Sequence, residues 1–297
     1  MMTSEVLIIG GGEIGNALYN LLLTNKRVTP HVWDINPRKS TTKKDLDDLL
    51  EEANFVFLAI PSTVIGEVAK RVKKKISKET IVVSLTKGIS GNRNRLSSEI
   101  LIKIFGKNRI GILGGPMLAE EMKKDIQTKA SLGANGRVFG IINPLFKRTN
   151  LTLEHSTDIQ GVAAAGILKN IYAISVGVID ALNLGDNVKG VIFKESVMEM
   201  EILIKKLGGR PKTAYSLAGL GDLEATGNSD YSTNRTLGKK LVTSRGKVTL
   251  VSEGSASIPY LIKRIGLNNL PPLAETIYKI VEKRRNPLRE IEKYLAK

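Results

Sequence analysis

The sequence has no cysteine among its 297 residues and only two histidines, His31 and His155. Without cysteine the chain cannot form disulfides, thiolate metal sites or a cysteine nucleophile. Two histidines are too few for a histidine-based metal cluster, so we predict no metal site. The lack of cysteine also fits a cytoplasmic protein, and we predict that location.

Long apolar runs are missing as well. No uninterrupted run reaches the roughly 18 residues that a membrane-spanning helix needs, so we predict no membrane span. The N-terminus, MMTSEVLIIGGG, has no basic segment before its short apolar run, which argues against a signal peptide. Hydrophobic residues make up 42% of the chain and charged residues 25%, a composition typical of a globular protein with a real core.

Aromatic residues are scarce, at 5%, while the net charge is high, at +16. A basic protein can bind nucleic acid, but the sequence has no zinc-finger, basic-zipper or RNA-recognition motif. The densest basic run, residues 70–75, resembles a solvated helix end. An anionic small substrate and cofactor explain the sign of the charge equally well. We therefore predict no nucleic-acid partner.

Apolar runs alternate with helical spacings over the first half of the chain. We predict strands at 6–9, 30–34, 55–60, 80–85 and 110–113, with helices at 14–23, 45–52, 65–72 and 96–104. After about residue 150 the spacing is predominantly helical, with helices at 159–181, 188–207, 235–242, 257–265 and 274–282. Alternating strands and helices form a parallel sheet with right-handed crossovers. The prediction is an α/β fold with a Rossmann-type doubly wound parallel sheet in a dinucleotide-binding domain (residues 1–153), followed by an all-helical substrate-binding domain (154–297).

The motif GGGEIG, residues 10–15, fits the G-x-G-x-x-G pattern of dinucleotide-binding loops. It follows the first predicted strand and opens the first predicted helix. In such a loop Gly10 permits the tight turn, Gly12 lets the backbone approach a pyrophosphate, and Gly15 lets the helix pack on the strand. The helix N-terminus then offers N–H donors and a positive dipole to the phosphates. A plain glycine turn is the alternative interpretation.

Asp34 lies at the end of the second predicted strand, 19 residues beyond Gly15. A carboxylate there accepts hydrogen bonds from the adenosine ribose and repels a 2′-phosphate, which favours NAD over NADP. The neighbouring Arg38 and Lys39 could offset that repulsion, so NADP stays possible.

Polar side chains also interrupt apolar or glycine-rich segments further along the chain. Lys87 directly follows the fourth predicted strand, where a parallel sheet borders its ligand crevice. Lys169 and Asn170 interrupt an apolar helix, in which an unpaired charge would cost several kcal/mol. Asp222, between a glycine and a leucine, is a candidate partner of the lysine. The same residues also fit a structural Lys–Asp ion pair and a surface lysine.

Six segments resemble the NAD(P)-dependent glycerol-3-phosphate dehydrogenase family along nearly the whole chain. They are GGGEIGNAL (10–18), SLTKGI (84–89), GPMLAEE (115–121), GILKNIYAISVGVIDALNLGDNVKG (166–190), LAGLGDLEAT (217–226) and VSEG (251–254). The LKN, NLGDN and AGLGD runs are much more specific than the glycine loop. The resemblance implies an oxidoreductase of glycerol-3-phosphate, phospholipid and carbohydrate metabolism that interconverts dihydroxyacetone phosphate and glycerol 3-phosphate, and a homodimer.

The resemblance also implies roles at matching positions. Lys169 would be the base that takes the C2 hydroxyl proton, with a pKa lowered by burial and by the charge of Lys87. Lys87 would steady the developing oxyanion, and Asp222 would orient a lysine. The other implied substrate contacts are Gly115, Asn170, Ser232, Thr233, Asn234 and Arg235. The cofactor contacts are Gly10, Gly12, Glu13, Ile14, Gly15, Asp34, Pro61, Lys87, Ala119 and Glu253.

Two departures from the family pattern concern the substrate. The family has an arginine at the position of Thr233, where it contacts the substrate phosphate, and threonine cannot reproduce its bidentate fork. The family also favours serine at the position of Met117. Two alternatives therefore stay open. One is a related two-domain dehydrogenase for another phosphorylated or carboxylated hydroxy compound, and the other is a catalytically inactive NAD-binding regulator.

Overall fold

The computed structural model describes residues 3–90, 94–244 and 248–296, and the chain divides into two compact units, Met1–Ala163 and Ala164–Lys297. The division falls within one long helix, Ile159–Leu182. The predicted domain boundary, between residues 153 and 154, lies inside the strand Leu151–Ser156 of the first unit. The functional roles assigned to the two domains stay predictions at this point.

The first unit contains a seven-stranded sheet. The strands of the unit are β1 Ser4–Ile9, β2 Val28–Trp33, β3 Phe55–Leu58, β4 Ile81–Ser84, β5 Ile89–Ser90, β6 Arg95–Leu96, β7 Ile110–Gly114, β8 Thr128–Gly133 and β9 Leu151–Ser156. Of these, β5 and β6 form a separate two-stranded antiparallel sheet. The order in the sheet is β2-β1-β3-β4-β7-β8-β9, and every neighbouring pair is parallel except β7 and β8. The predicted α/β class and the five predicted strands are confirmed.

The prediction missed β8 and β9, and with them the antiparallel pairing of β7 with β8. The β8 sequence, TKASLG, has few β-branched residues, although four of its six positions are buried. The β9 sequence, LTLEHS, alternates buried and exposed positions, as expected for a half-covered edge strand. Neither segment has the continuous apolar run of the central strands.

The helices of the first unit are α1 Glu13–Leu23, α2 Leu46–Glu52, α3 Ile65–Lys75, α4 Ser97–Phe105, α5 Ala119–Met122 and α6 Gly136–Ile142. The central strands are buried on both faces, since β3, β4 and β7 have no exposed residue. Parallel pairing in register aligns Ile9 with Trp33 and Leu58, and Leu58 with Ser84. The loops that follow these four strands therefore emerge at the same edge of the sheet.

The helices from residue 159 onward are α7 Ile159–Leu182, α8 Gly185–Lys206, α9 Asp222–Asn228, α10 Thr233–Thr243, α11 Glu253–Ile265, α12 Pro272–Val281 and α13 Pro287–Leu295. Within the described part of the second unit no residue belongs to a strand. The helix α7 is long and apolar enough to cross a membrane by length and composition alone, but its most apolar window is fully buried inside the protein. A core helix passes the same test.

Glycines allow α10 to lie directly on α7. A β-carbon at Gly177 would overlap the carbonyl oxygen of Arg235, and one at Gly238 would overlap that of Ile174. Both glycines lie inside helices, where glycine costs about 1 kcal/mol relative to alanine. The close backbone approach explains why the sequence tolerates that cost.

A buried carboxylate ties α8 to α12. Glu199, which is 4% exposed, accepts hydrogen bonds from the backbone N–H groups of Leu273 and Ala274, at 2.6 and 2.9 Å. The hydroxyl of Tyr172, on α7, donates to the same carboxylate at 2.9 Å. The carboxylate thus satisfies two of the N–H groups that a helix leaves unpaired in its first turn. Three helices are joined at this one group.

Candidate active site

The glycine loop connects β1 to α1 and has the geometry that a dinucleotide loop requires. Gly10 has a φ of +113°, and a β-carbon there would overlap the carbonyl oxygen of Ala59. A β-carbon at Gly15 would overlap the carbonyl oxygen of Gly10, so this position needs glycine for helix packing. Gly12, by contrast, has open space around the place of a β-carbon, and no side chain caps α1. The loop therefore presents uncapped helix N–H groups next to an open cradle.

Asp34 follows β2 and contacts the glycine loop. Its carboxylate accepts hydrogen bonds from the backbone N–H groups of Gly11, at 2.7 Å, and Asn36, at 2.8 Å. These bonds hold the carboxylate beside the loop that was predicted to bind the cofactor. Arg38 and Lys39, whose charge could offset that of Asp34, are exposed in the same segment.

Lys87 follows β4 at the same edge of the sheet. Its ammonium donates to the carbonyl oxygen of Gly115, at 3.5 Å between Nζ and O. Gly115 follows β7, has a φ of +127° and is buried. The structure thus brings together Lys87 and Gly115, which the resemblance had assigned to one site.

The remaining predicted residues of the first unit differ in their surroundings. Glu13 forms an ion pair with Lys123, and that hydrogen-bonded lysine lowers the pKa of Glu13. Ile14 packs against the hydrophobic core, Pro61 is exposed in the loop after β3, and Ala119 begins α5. Glu13 thus offers a charged side chain, and Ile14, Pro61 and Ala119 offer apolar side chains.

Met117, one of the two departures from the family pattern, lies in the core of the first unit. It is 6% exposed and belongs to a cluster of buried hydrophobic residues. The thioether is apolar and flexible, which suits a gap-filling position in a core. The side chain is therefore accommodated by packing, and the effect of this position on the substrate stays a prediction.

Lys169 lies on α7 with its side chain only 7% exposed. Its Nζ is 3.0 Å from Oδ1 of Asp222, whose side chain is 2% exposed. Nζ also lies 2.6 Å from Oγ1 of Thr226, which in turn donates to Oδ1 of Asp222 at 3.3 Å. The predicted Lys–Asp pair exists, and Thr226 completes a triangle with it.

Thr226 was missed by the sequence analysis. It lies on α9 four residues after Asp222, so the two side chains share one face of that helix. The i, i+4 spacing of a hydroxyl and a carboxylate was the available signal, but it is too common in helices to single out a site.

A second polar chain begins at Asn170. Its Nδ2 donates to Oε2 of Glu253 at 3.0 Å, and its Oδ1 accepts from Nδ2 of Asn234 at 3.0 Å. Oδ1 of Asn234 accepts from the backbone N–H of Gly254 at 2.9 Å. Asn170 and Asn234 are buried, at 2% and 5% exposure, while Glu253 is exposed. These hydrogen bonds join α7, α10 and α11 beside Lys169. Glu253, which was predicted to contact the cofactor ribose, thus also contacts Asn170.

The predicted phosphate segment, Ser232 to Arg235, begins α10. Ser232 is the N-cap, and its Oγ accepts from the backbone N–H of Arg235 at 3.2 Å. Thr233 is exposed in the first turn. Arg235 donates to Asp180 and to Asp230. The structure therefore brings Asn234 to the Asn170 chain, while Arg235 lies among carboxylates.

Comparisons with known proteins identify the family of this chain. The family model of the NAD-dependent glycerol-3-phosphate dehydrogenase N-terminus matches residues 35–139, and the model of its C-terminus matches residues 158–292. A glycerol-3-phosphate dehydrogenase (NAD(P)+) from Clostridium perfringens (strain SM101 / Type A) is 34% identical, over 79% of this chain and 78% of the relative. One from Clostridium botulinum (strain Eklund 17B / Type B) is 31% identical, over 99% and 98%.

A solved structure supports the same assignment. The crystal structure of glycerol-3-phosphate dehydrogenase from Coxiella burnetii superposes with a TM-score of 0.86 at 25% identity, and the match covers 99% of each chain. The predicted family is thus confirmed by sequence and by structure. The chain belongs to the NAD-dependent glycerol-3-phosphate dehydrogenase family.

Proposed function

We propose that this chain reduces dihydroxyacetone phosphate to sn-glycerol 3-phosphate with a nicotinamide cofactor, and catalyses the reverse reaction. The observation that carries the proposal is the buried triangle of Lys169, Asp222 and Thr226, because it holds an amine inside the protein with two polar partners. The chain is an NAD(P)-dependent oxidoreductase by family. We assign cofactor binding to the first domain, residues 1–153, and substrate binding to the second, residues 154–297.

The glycine loop suits the cofactor. Open space at Gly12 and the uncapped N-terminus of α1 fit a pyrophosphate, which would accept hydrogen bonds from the helix N–H groups. When bound, the nicotinamide supplies the hydride in one direction and accepts it in the other. Asp34 fits a ribose diol and favours NAD, while exposed Arg38 and Lys39 leave room for NADP. Glu13, Ile14, Pro61, Ala119 and Glu253 complete the proposed cofactor contacts.

Lys169 is the proposed proton donor and acceptor at the C2 oxygen. The resemblance implied a lysine with a lowered pKa, whereas Asp222 at 3.0 Å stabilises the ammonium. The ammonium is the form that donates a proton when a ketone is reduced, so the free protein is prepared for reduction. Oxidation requires the lysine to lose that proton first. Lys87 and Asn170 are proposed to hold the substrate oxygen and carbon skeleton.

The first experiment compares Lys169→Ala with Lys194→Ala, an exposed lysine on α8 that serves as the matched control. With dihydroxyacetone phosphate and NADH, we expect kcat of Lys169→Ala to fall by about 10²- to 10⁴-fold, the usual contribution of a general acid. NADH binding, measured by fluorescence titration, should be retained in both variants. Full activity of Lys169→Ala would exclude the assigned proton donor.

A second candidate is a related dehydrogenase that acts on another phosphorylated or carboxylated hydroxy compound. It is favoured by two observations, since Thr233 replaces the phosphate-binding arginine and Arg235 is held by carboxylates. A substrate panel decides between the two, with dihydroxyacetone phosphate titrated against NADH and NADPH in parallel. Turnover confined to a non-phosphorylated acid would favour the second candidate. NAD binding without any turnover would indicate a regulator.

We further propose that the protein is cytoplasmic, and that it is a homodimer, as its family resemblance implied. Light scattering of the purified chain tests the assembly. A mass of twice the 32.4 kDa chain is expected, and a mass equal to one chain would contradict it.

A further inference from the structure

Asp180, Lys189 and Arg235 form a cluster of charged side chains that has no part in the proposed reaction. Asp180, at the end of α7, accepts from Lys189 at 2.6 Å on Oδ1. Its Oδ2 accepts a hydrogen bond from Nε of Arg235 at 2.7 Å, and an Nη of Arg235 lies 2.7 Å from the same oxygen in an ion pair. The side chains of Asp180 and Arg235 are only 12% and 13% exposed, so solvent screens this pair weakly.

Arg235 links this cluster to the site because it follows Asn234 in the chain. Asn234 reaches Asn170, whereas Arg235 reaches Asp180, ten residues further along α7 (180 − 170). Ten helical residues span about 15 Å. Two consecutive residues of α10 therefore bind α7 at two well-separated points, Asn170 and Asp180. The close backbone contact at Gly177 lies between these two points in sequence.

From this geometry we propose that Asp180 is a positioning residue. By holding Arg235 it fixes the first turn of α10, and so keeps Asn234 against Asn170, next to Lys169. The inference rests on the proposed function and deepens it, because it gives Arg235 an orienting role in place of the predicted contact with the substrate phosphate.

The bonding of Arg235 supports this role. Nε donates to Asp180, one Nη forms an ion pair with the same carboxylate, and the other Nη donates to Asp230 at 2.6 Å. A substrate phosphate would have to displace these carboxylates. Burial raises the pKa of Asp180, but the hydrogen bonds from Lys189 and Arg235 outweigh it and leave that pKa below its ordinary value. The carboxylate is thus in its charged, pairing form at neutral pH.

The test compares Asp180→Asn with Asp230→Asn, which removes an equally direct partner of Arg235 from an 88% exposed position. For Asp180→Asn we expect kcat to fall by about 10- to 100-fold, the effect of misplacing a site by about 1 Å, with KM for the ketone and NADH binding within about threefold. Asp230→Asn should keep kcat within about twofold, because exposed ion pairs contribute little.

Arg235→Lys is a second test, and it is sufficient by itself if Asp180→Asn does not fold. Lysine keeps the positive charge but loses the fork, so an orienting role predicts a lower kcat at nearly unchanged KM. A phosphate contact predicts a raised KM at retained kcat. The double variant Asp180→Asn/Arg235→Lys should be no worse than the more impaired single variant. Three outcomes would each overturn the proposal: a raised KM in Arg235→Lys, additive losses in the double variant, or full kcat in Asp180→Asn.

A readout without turnover separates this proposal from the proposed function. The side-chain amide NMR signals of Asn170 and Asn234 should shift in Asp180→Asn and stay in place in Asp230→Asn. If the wild type turns over no ketone, the proposed function fails while these signals still test the positioning. Unmoved amide signals in a folded Asp180→Asn would overturn the positioning alone.

Discussion

The hydroxyl of Thr226 lies 2.6 Å from Nζ of Lys169, inside the protein. Thr226→Val keeps the shape of the side chain and removes this partner of a buried ammonium. We expect the variant to lose about 1–3 kcal/mol of unfolding free energy, the cost of an unsatisfied buried group, and about tenfold in kcat. Thr226→Ser, which keeps the hydroxyl, is the control. Equal kcat values for the two variants would show that the hydroxyl has no role.

Glu199 predicts a specific pH dependence of stability. Burial raises its pKa above the ordinary 4.5, although the N–H groups of Leu273 and Ala274 and the hydroxyl of Tyr172 act in the opposite direction. A group with a raised folded-state pKa contributes stability that is complete below the unfolded pKa and is lost as pH rises through the folded one. The advantage of wild type over Glu199→Gln should therefore shrink as pH rises above the ordinary pKa of a glutamate, about 4.5, and through the raised pKa of the folded protein.

Calorimetric unfolding at several pH values measures this advantage. Glu201→Gln, at an exposed hydrogen bond on the same helix, should change the unfolding free energy by less than about 0.5 kcal/mol throughout. An advantage of wild type that grows with pH would mean that Glu199 has a lowered pKa in the folded protein.

At the level of loops and helices, two glycines of the glycine loop should affect different properties, Gly12 the binding of the cofactor and Gly15 the stability of the fold. A β-carbon at Gly12 meets nothing within 4 Å, and the backbone there has a φ of −76°. Gly12→Ala should therefore fold normally but fill the pyrophosphate cradle, raising Kd for NADH by about 10-fold or more. Gly15→Ala should instead destabilise the first unit, because its methyl group overlaps Gly10. Fluorescence titration and melting curves distinguish these effects, and unchanged NADH binding in Gly12→Ala would contradict the proposed cradle.

The crossing of α7 and α10 can be tested by comparing a glycine at the crossing, Gly238, with a helical glycine in open space, Gly190. Gly238→Ala would drive a methyl group into the carbonyl oxygen of Ile174 and push α10 away. We expect a loss of more than about 2 kcal/mol in unfolding free energy and a lower kcat. Gly190→Ala, on α8 with open space around its β-carbon, should stabilise by about 0.5–1 kcal/mol. Calorimetry of both variants measures these effects, and equal melting temperatures would contradict the role of Gly238 in the helix crossing.

For the whole molecule, the net charge of +16 predicts faster capture of anionic substrates. The value of kcat/KM for dihydroxyacetone phosphate should fall several-fold between about 20 mM and about 500 mM NaCl, because salt shortens the screening length. kcat itself should change little. Dihydroxyacetone, which lacks the phosphate, is the control and should show no comparable decline. A salt-independent kcat/KM would mean that the positive charge does not steer the substrate.

Much of the fold was predictable because it follows from local patterns. Continuous apolar runs marked the central strands, helical spacing marked α1 and α7, and the position of Gly10 after β1 marked the glycine loop between β1 and α1. The pairing of Lys169 with Asp222 was predictable for an energetic reason, since a charge on an apolar helix needs a partner. The strand β9 was not predictable in this way, because an alternating edge strand carries too weak a signal.

Composition, hydrophobic periodicity and motifs alone predicted a dinucleotide-binding α/β unit followed by helices. They also predicted a pair formed by an amine and a carboxylate in the candidate active site. These are properties of each segment or of a pair of residues. The fold was needed to show that Thr226 joins that pair, that Met117 is a core residue, and that Arg235 bonds to Asp180 and Asp230. The reason is physical: such contacts depend on how two helices cross, and backbone contacts far apart in sequence, such as Gly238 against Ile174, set that crossing.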